Sequence, residues 1–209
     1  MKYIFLHGLG QRADSWEEIK SLIGVEAVCP DLYDLVKSGP LTYEGIYKAF
    51  VQYCSKFSEP LHLAGLSLGG ILALNYAIDY PERVASLVLI GAQYKIPKGI
   101  MTVQGLVFRL LPKSVFKKMG FDKGDFISLL TSTKDLDFSS NLSNIGCPTL
   151  ILCGTKDKPN HKAALGLEKN IKNSVLKWVE GAGHVVNQDA PEVLAKLINE
   201  FYEMEESKC

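Results

Sequence analysis

A doubly wound α/β fold, with a mostly parallel six-stranded sheet between layers of helices, is what this 209-residue chain predicts. Three observations lead there. Six short runs rich in Val, Ile and Leu recur along the chain and close on Gly, Pro or Asp, the pattern of strands buried on both faces of a parallel sheet. Most are separated by stretches with apolar residues at helical spacing, and strand and helix in alternation build a parallel sheet. The length suits one domain with a substantial core, so we expect a single domain over residues 1–209.

The first run, Lys2 to Leu6, ends on the glycine-rich turn His7-Gly8-Leu9-Gly10, and the second, Glu26 to Cys29, ends on Pro30-Asp31. Leu41, Ile46, Ala49, Phe50, Tyr53 and Phe57 then fall close to one helical face. The third run, Leu61 to Gly65, feeds the turn Gly65-Leu66-Ser67-Leu68-Gly69-Gly70 and a long apolar stretch, Ile71 to Ile78, read as a helix. Ser86 to Ile90, Thr149 to Cys153 and Val175 to Val179 complete the strands, and Pro191 starts a last helix with Val193, Leu194, Leu197, Ile198 and Phe201 on its inner face.

One connection is too long for a simple crossover. Residues 94–144 carry helical apolar spacing at Met101, Leu106, Phe108, Leu110 and Leu111, a break at Pro112, and a second stretch from Asp125 to Leu130. Such a segment inside a compact α/β domain predicts an inserted cap or lid.

Charge and cysteine usage exclude several classes of function. Lys plus Arg and Asp plus Glu are each 23, which gives no electrostatic reason to expect nucleic acid or an anionic membrane as partner. No segment approaches the roughly 20 apolar residues that span a bilayer, and the start, Met1 to Gly8, does not have the form of a secretory signal. The five cysteines, Cys29, Cys54, Cys147, Cys153 and Cys209, show no Cys-x-x-Cys pair. We therefore expect a cytoplasmic protein with reduced, structural thiols.

The stretch with the most chemistry is the turn around Ser67. A strand that reverses sharply into a helix presents one serine hydroxyl at the tip, and its neighbours two positions away must be small, which is the mechanical content of Gly-x-Ser-x-Gly. A serine hydroxyl needs a base of near-neutral pKa to take its proton. Of the four histidines, His184 is the best placed, in Glu180-Gly181-Ala182-Gly183-His184 just beyond the last strand, where a parallel sheet presents side chains at its carboxyl edge. His62 lies inside a strand and reads as a core or edge residue, His161 as a surface residue at a helix start, and His7 as a loop-shaping residue. Asp157, after the fifth strand, can orient the imidazole, and the order Ser67, Asp157, His184 is the order expected when the nucleophile sits on such an elbow. Two backbone N–H groups should face the oxyanion: that of Leu68 at the start of the following helix, and that of Leu9 in the first glycine-rich turn.

Together these residues resemble the α/β-hydrolase family over nearly the whole chain. The likeness rests on His7-Gly8-Leu9-Gly10 with Trp16 beyond it, Cys29-Pro30-Asp31, the Ser67 elbow, Tyr80-Pro81-Glu82-Arg83-Val84, Cys147-Pro148-Thr149-Leu150 leading to Asp157, and Gly183-His184. In that family a cap is inserted where residues 94–144 lie here, over the serine. The resemblance implies a sheet that lacks the family's first two strands, with a short cap. It also implies a serine hydrolase that needs no metal or organic cofactor and cleaves a carboxylic ester or thioester. Related triad chemistry, carbon–carbon bond hydrolysis or a lyase reaction, and a non-catalytic ligand-binding role stay open as alternatives.

The cap supplies the substrate clue: Leu106, Phe108 and Leu111, with their apolar neighbours, predict a pocket for a small to medium apolar acyl group, although they could equally complete the core beneath a lid. The expected partner is thus a small-molecule ester, and the sheet edge or the cap offers a surface for a homodimer. A dinucleotide site competes, because Gly8-Leu9-Gly10-Gln11-Arg12-Ala13 satisfies Gly-x-Gly-x-x-Gly/Ala with Asp31 about 20 residues on. Against it, the region after Gln11 lacks the apolar periodicity of a packed phosphate-binding helix, and Ser67, Asp157 and His184 go unexplained.

Overall fold

The computed structural model describes residues 1–37, 41–96, 111–118 and 122–207. Six strands form one sheet: β1 (Lys2–Leu6), β2 (Ala27–Val28), β3 (Leu61–Leu66), β4 (Val84–Ile90), β5 (Thr149–Gly154) and β6 (Ser174–Val179), in the spatial order β2-β1-β3-β4-β5-β6. All five pairings are parallel, with Leu6 opposite Gly65, Gly65 opposite Leu89 and Leu89 opposite Ile151 across the centre.

Among the described residues the α-helices are α1 (Glu17–Leu22), α2 (Tyr43–Cys54), α3 (Leu68–Asp79), α4 (Lys113–Lys118), α5 (Lys123–Ser132), α6 (Lys158–Asn170), α7 (Val186–Asp189) and α8 (Pro191–Glu206). Alternate strand residues feed two cores. Ile4 and Leu6 of β1 with Leu61 and Leu63 of β3 meet Ile46, Phe50, Leu72 and Leu167 on one face. Tyr3, Phe5, Ala64 and Leu66 meet Trp16, Ile19, Leu194 and Ile198 on the other. All six residues of β3 are buried, which explains why its sequence is apolar on both faces apart from His62 rather than alternating.

Two helical faces differ in detail from the sequence reading. In α8 the buried residues are Leu194, Ala195, Ile198, Phe201 and Tyr202, while Val193 is 47% exposed. At about 100° per residue, the set at i, i+1, i+4, i+7 and i+8 makes a tighter stripe than one including Val193. In α2, Tyr43 and Cys54 join Ile46 and Phe50 in the core, and Leu41 and Phe57 pack from outside the helix ends. Thr42 caps this helix, its hydroxyl accepting from the Gly45 N–H at 3.1 Å.

The long β4–β5 connection carries α4 and α5, and its two ends meet. The Phe138 N–H donates to the Tyr94 carbonyl (2.8 Å), the Ile96 N–H donates to the Leu136 carbonyl (3.0 Å), and Lys95 Nζ lies 2.7 Å from Asp137 Oδ2. Of the side chains expected to form an acyl pocket, Leu106 and Phe108 lie outside the described residues, and Leu111 is half-buried against the core. No helix among the described residues is long and apolar enough to cross a membrane.

Candidate functional site

The chain order reverses between β1 and β3: from β1 it passes to β2 on one side, then returns to β3 on the other. Loops leaving the carboxyl ends of adjacent strands diverge at such a point and open a crevice. The turns after β1 and β3 lie there, and those after β5 and β6 reach the same edge.

Ser67 follows β3 directly with φ 52° and ψ −112°, and it is the one non-glycine residue with positive φ among those described. Such a conformation persists only where the surroundings over-determine it. Its N–H donates to the Ile90 carbonyl at 2.8 Å, and its carbonyl accepts from the Ile71 N–H at 2.9 Å as α3 begins. The flanking glycines are needed for close approach: a Cβ on Gly65 would lie 2.3 Å from the Gly69 carbonyl carbon, and one on Gly69 would lie 2.2 Å from the Leu6 carbonyl oxygen. Both obstacles are backbone, so neither can step aside.

The Ser67 hydroxyl donates to His184 Nε2 at 2.9 Å, and His184 Nδ1–H donates to Asp157 Oδ2 at 2.8 Å. The carboxylate partner selects the tautomer, leaving Nε2 free to accept. Asp157 is almost fully buried, whereas the His184 side chain is 41% exposed, so the carboxylate is shielded and the imidazole is open to solvent. Their two loops are packed on each other. The Lys156 N–H donates to the Ala182 carbonyl (2.9 Å), and a Cβ on Gly154 would lie 2.3 Å from the Gly183 carbonyl oxygen.

Leu68 is the first residue of α3, where N–H groups have no intrahelical acceptor. Among the described residues, neither its N–H nor that of Leu9 has a hydrogen-bond partner. The Leu9 turn is braced from all sides. Gln11 accepts from the Gly8 N–H (3.0 Å) through Oε1 and donates to Asn187 Oδ1 (3.1 Å), and the Tyr33 hydroxyl accepts from the Gly10 N–H and donates to the Gly8 carbonyl, both at 3.3 Å. Gly10 takes φ 83°, which a side chain would disfavour.

The other histidines are occupied. His7 is fully buried, its Nδ1–H donating to the Gly8 carbonyl and its Nε2 accepting from the Leu32 N–H, both at 3.0 Å; burial holds its pKa below the ordinary 6.5. His62 is buried in β3 between Ser86 and a stacked Tyr3 ring. His161 Nε2–H donates to the Gly154 carbonyl at 3.2 Å. Asp31, the ribose-binding acid of the dinucleotide reading, instead accepts from Arg12 Nη1 and from the Tyr33 N–H. The glycine turn leads into a short 3₁₀ segment, Ala13–Trp16, rather than a packed phosphate-binding helix. Burial raises the thiols of Cys29, Cys54 and Cys153 to about 12 and that of Cys147 to about 11, so they stay protonated. Among the described residues no cluster of three or more His, Cys, Asp or Glu side chains is spaced to hold a metal ion.

Four residues of the site were not singled out from the sequence: Gln11, Tyr33, Asn160 and Gln93. Asn160 Nδ2–H donates to Asp157 Oδ2 at 2.7 Å, and Gln93 Nε2–H donates to Asn160 Oδ1. Neither residue belongs to a motif; only the spacing of Asn160, one helical turn beyond Asp157, hinted at contact.

Comparison with known proteins gives the family. A family model described as the alpha/beta hydrolase family matches residues 3–197. Monoacylglycerol lipase ABHD6 of Bos taurus and of Homo sapiens are each 26% identical over 257 aligned positions, covering 95% of this chain and 74% of the relative. The alignment is longer than this chain, so those relatives carry residues that it lacks. Among solved structures, a thermophilic esterase from Thermogutta terrifontis superposes with a TM-score of 0.83 at 19% identity, over 98% of this chain and 90% of that one. MenH from S. aureus gives a TM-score of 0.81 at 18% identity, over 99% and 94% respectively.

Proposed function

The chain belongs to the alpha/beta hydrolase family and is a hydrolase, and from that premise we propose that it cleaves a carboxylic ester or thioester through an acyl-enzyme formed on Ser67. The observation that carries this reading is the pair of hydrogen bonds, 2.9 and 2.8 Å, linking a serine of positive φ through His184 to buried Asp157.

His184 Nε2 takes the hydroxyl proton as Ser67 Oγ attacks the acyl carbonyl. The Leu9 and Leu68 N–H groups face the developing oxyanion, the second aided by the positive end of α3. His184 then protonates the leaving alcohol or thiol, and the same nitrogen deprotonates the water that releases the acid. Asp157, hydrogen-bonded to Nδ1, steadies the imidazolium. The acyl group we assign is small to medium and apolar, held beneath a cap formed by residues 94–144 with Leu106, Phe108 and Leu111 in its lining. An acylglycerol is one ester of this kind, in line with the ABHD6 relatives.

A fluorophosphonate should label intact protein at Ser67, and Ser67→Ala should abolish labelling and lower ester turnover by roughly 10⁴-fold or more. Wild-type turnover by Ser67→Ala would remove the acyl-enzyme from consideration. Labelling without turnover of any simple ester would point to a lyase or carbon–carbon bond hydrolase using the same residues.

A further inference from the structure

We propose that Asn160, locked in orientation by Gln93, is a positioning residue for Asp157 and His184, and that it ties them to the root of the 94–144 insertion. This deepens the reading above and rests on it.

Asp157 occupies the N-cap position of α6, where an acidic side chain ordinarily turns back to accept from the helix's own free N–H groups. Its carboxylate makes no such bond and faces His184 instead. A carboxylate only 5% exposed needs donors to offset its lost hydration. His184 supplies one, and the Asn160 side chain, itself 8% exposed, supplies another. Asn160 Nδ2, Asp157 Oδ2 and His184 Nδ1 form a compact triangle with sides of 2.7, 2.8 and 3.0 Å. Two N–H donors therefore converge on one carboxylate oxygen. While Nδ1 carries its proton, the contact between the two nitrogens is a steric one, and the amide blocks the imidazole from tilting toward α6.

An asparagine amide can serve this purpose only one way round. Turned over, it would press its own oxygen against the carboxylate. Gln93 decides the orientation, because its Nε2–H donates to Asn160 Oδ1 and so commits Nδ2 to Asp157. Gln93 lies three residues beyond β4 and immediately ahead of Tyr94, Lys95 and Ile96, which pair with 136–138 where the two ends of the insertion meet. The same root touches α6 again at Gly166, where a Cβ would come within 2.5 Å of the Tyr94 hydroxyl oxygen. The insertion is thus anchored on the helix that carries Asp157 at its start, and one of the anchors is the residue that orients the amide.

Among the described residues Asn160 hydrogen-bonds Asp157 and Gln93 and touches His184 but makes no bond to Ser67, so its influence passes through Asp157 and His184. The test uses the whole 209-residue chain with Asn160→Asp, which keeps the shape and removes the donor, Asn160→Leu, Gln93→Leu, and the Gln93→Leu/Asn160→Leu double variant. Turnover of p-nitrophenyl butyrate and the rate of fluorophosphonate labelling at Ser67 are measured beside the melting temperature. Both Asn160 variants should lose about 10-fold to 100-fold in kcat, the loss that outer partners of an oriented histidine typically produce, with KM held within about twofold. Gln93→Leu should lose less, and the double variant should match Asn160→Leu alone, because Gln93 acts only through Asn160. Labelling should slow in step with kcat.

Wild-type kcat in folded Asn160→Asp would overturn the proposal, as would multiplicative losses in the double variant or a defect confined to KM. If Asn160→Leu fails to fold, Asn160→Asp and Gln93→Leu still decide the matter. Failure of the parent reading would look different: Ser67 would then be unlabelled, or dispensable, in the unmodified protein.

Discussion

Gly91 lies flat against His184: a Cβ at this position would stand 3.1 Å from Nδ1, 3.2 Å from Cε1 and 3.4 Å from Asp157 Oδ2. Gly91 also takes φ 54°, which costs an L-residue about 1–2 kcal/mol. Gly91→Ala should therefore act on the imidazole as well as on the backbone. We expect kcat to fall on the order of 10²-fold, as a misplacement of the base by a fraction of an ångström to an ångström would produce. The melting temperature should fall by about 2–4 °C per kcal/mol of strain. Steady-state kinetics beside a thermal melt check this, and a drop in stability with kcat unchanged would show that the imidazole is not crowded.

Gln11 holds the Leu9 turn by accepting from Gly8 and donating to Asn187. Gln11→Leu keeps the volume but releases both bonds, loosening the turn that we assign to the oxyanion. The expected loss in kcat is about 10-fold, below the 10²–10³ that results from deleting one oxyanion donor outright. A transition-state analogue such as a boronic acid should weaken by the same factor while a simple product acid does not.

Gly69 is a position of backbone-to-backbone contact, with β1 lying where a side chain would go. Gly69→Ala should destabilise the fold by more than about 4 kcal/mol, a range reserved for clashes that cannot relax. Denaturant titration reads the outcome, and a stable, active Gly69→Ala protein would contradict the geometry of the turn.

His7 makes stability depend on pH. Burial holds its folded pKa below 6.5, so as pH falls through 6.5 the unfolded chain takes up a proton that the folded chain refuses. The unfolded state then binds more protons, so this contribution is fully present above pH 6.5 and is lost progressively below it, down to the folded pKa. Melts across that window should show falling stability, and His7→Gln, which keeps an acceptor for the Leu32 N–H, should flatten the slope. Equal slopes in the two proteins would assign the acid sensitivity to other groups.

The strands and the order Ser67, Asp157, His184 were legible because each is written locally. A strand buried on both faces is an apolar run, and an elbow needs Gly65 and Gly69 at fixed offsets from its serine. The bracing around the site was not legible, since Gln11 to Asn187 and Gln93 to Asn160 join residues 176 and 67 positions apart through ordinary amides. The inner face of α8 was misjudged at Val193 for a similar reason: apolar character marks residues able to be buried, and only packing against β1 and α1 decides which are. Leu106 and Phe108, read from the sequence as pocket residues, lie outside the described residues.

The wedge of Gly69 against Leu6 also bears on how this scaffold can be altered. At Gly69 the end of the strand leading to the Leu9 turn and the start of the helix beside Ser67 meet main chain to main chain, with no side chain at that contact to vary. The separation of the Ser67 hydroxyl from the Leu9 turn is therefore a fixed gauge, independent of which residues line the crevice. Directed evolution of the insertion and its root can search for new acyl groups while that gauge stays constant.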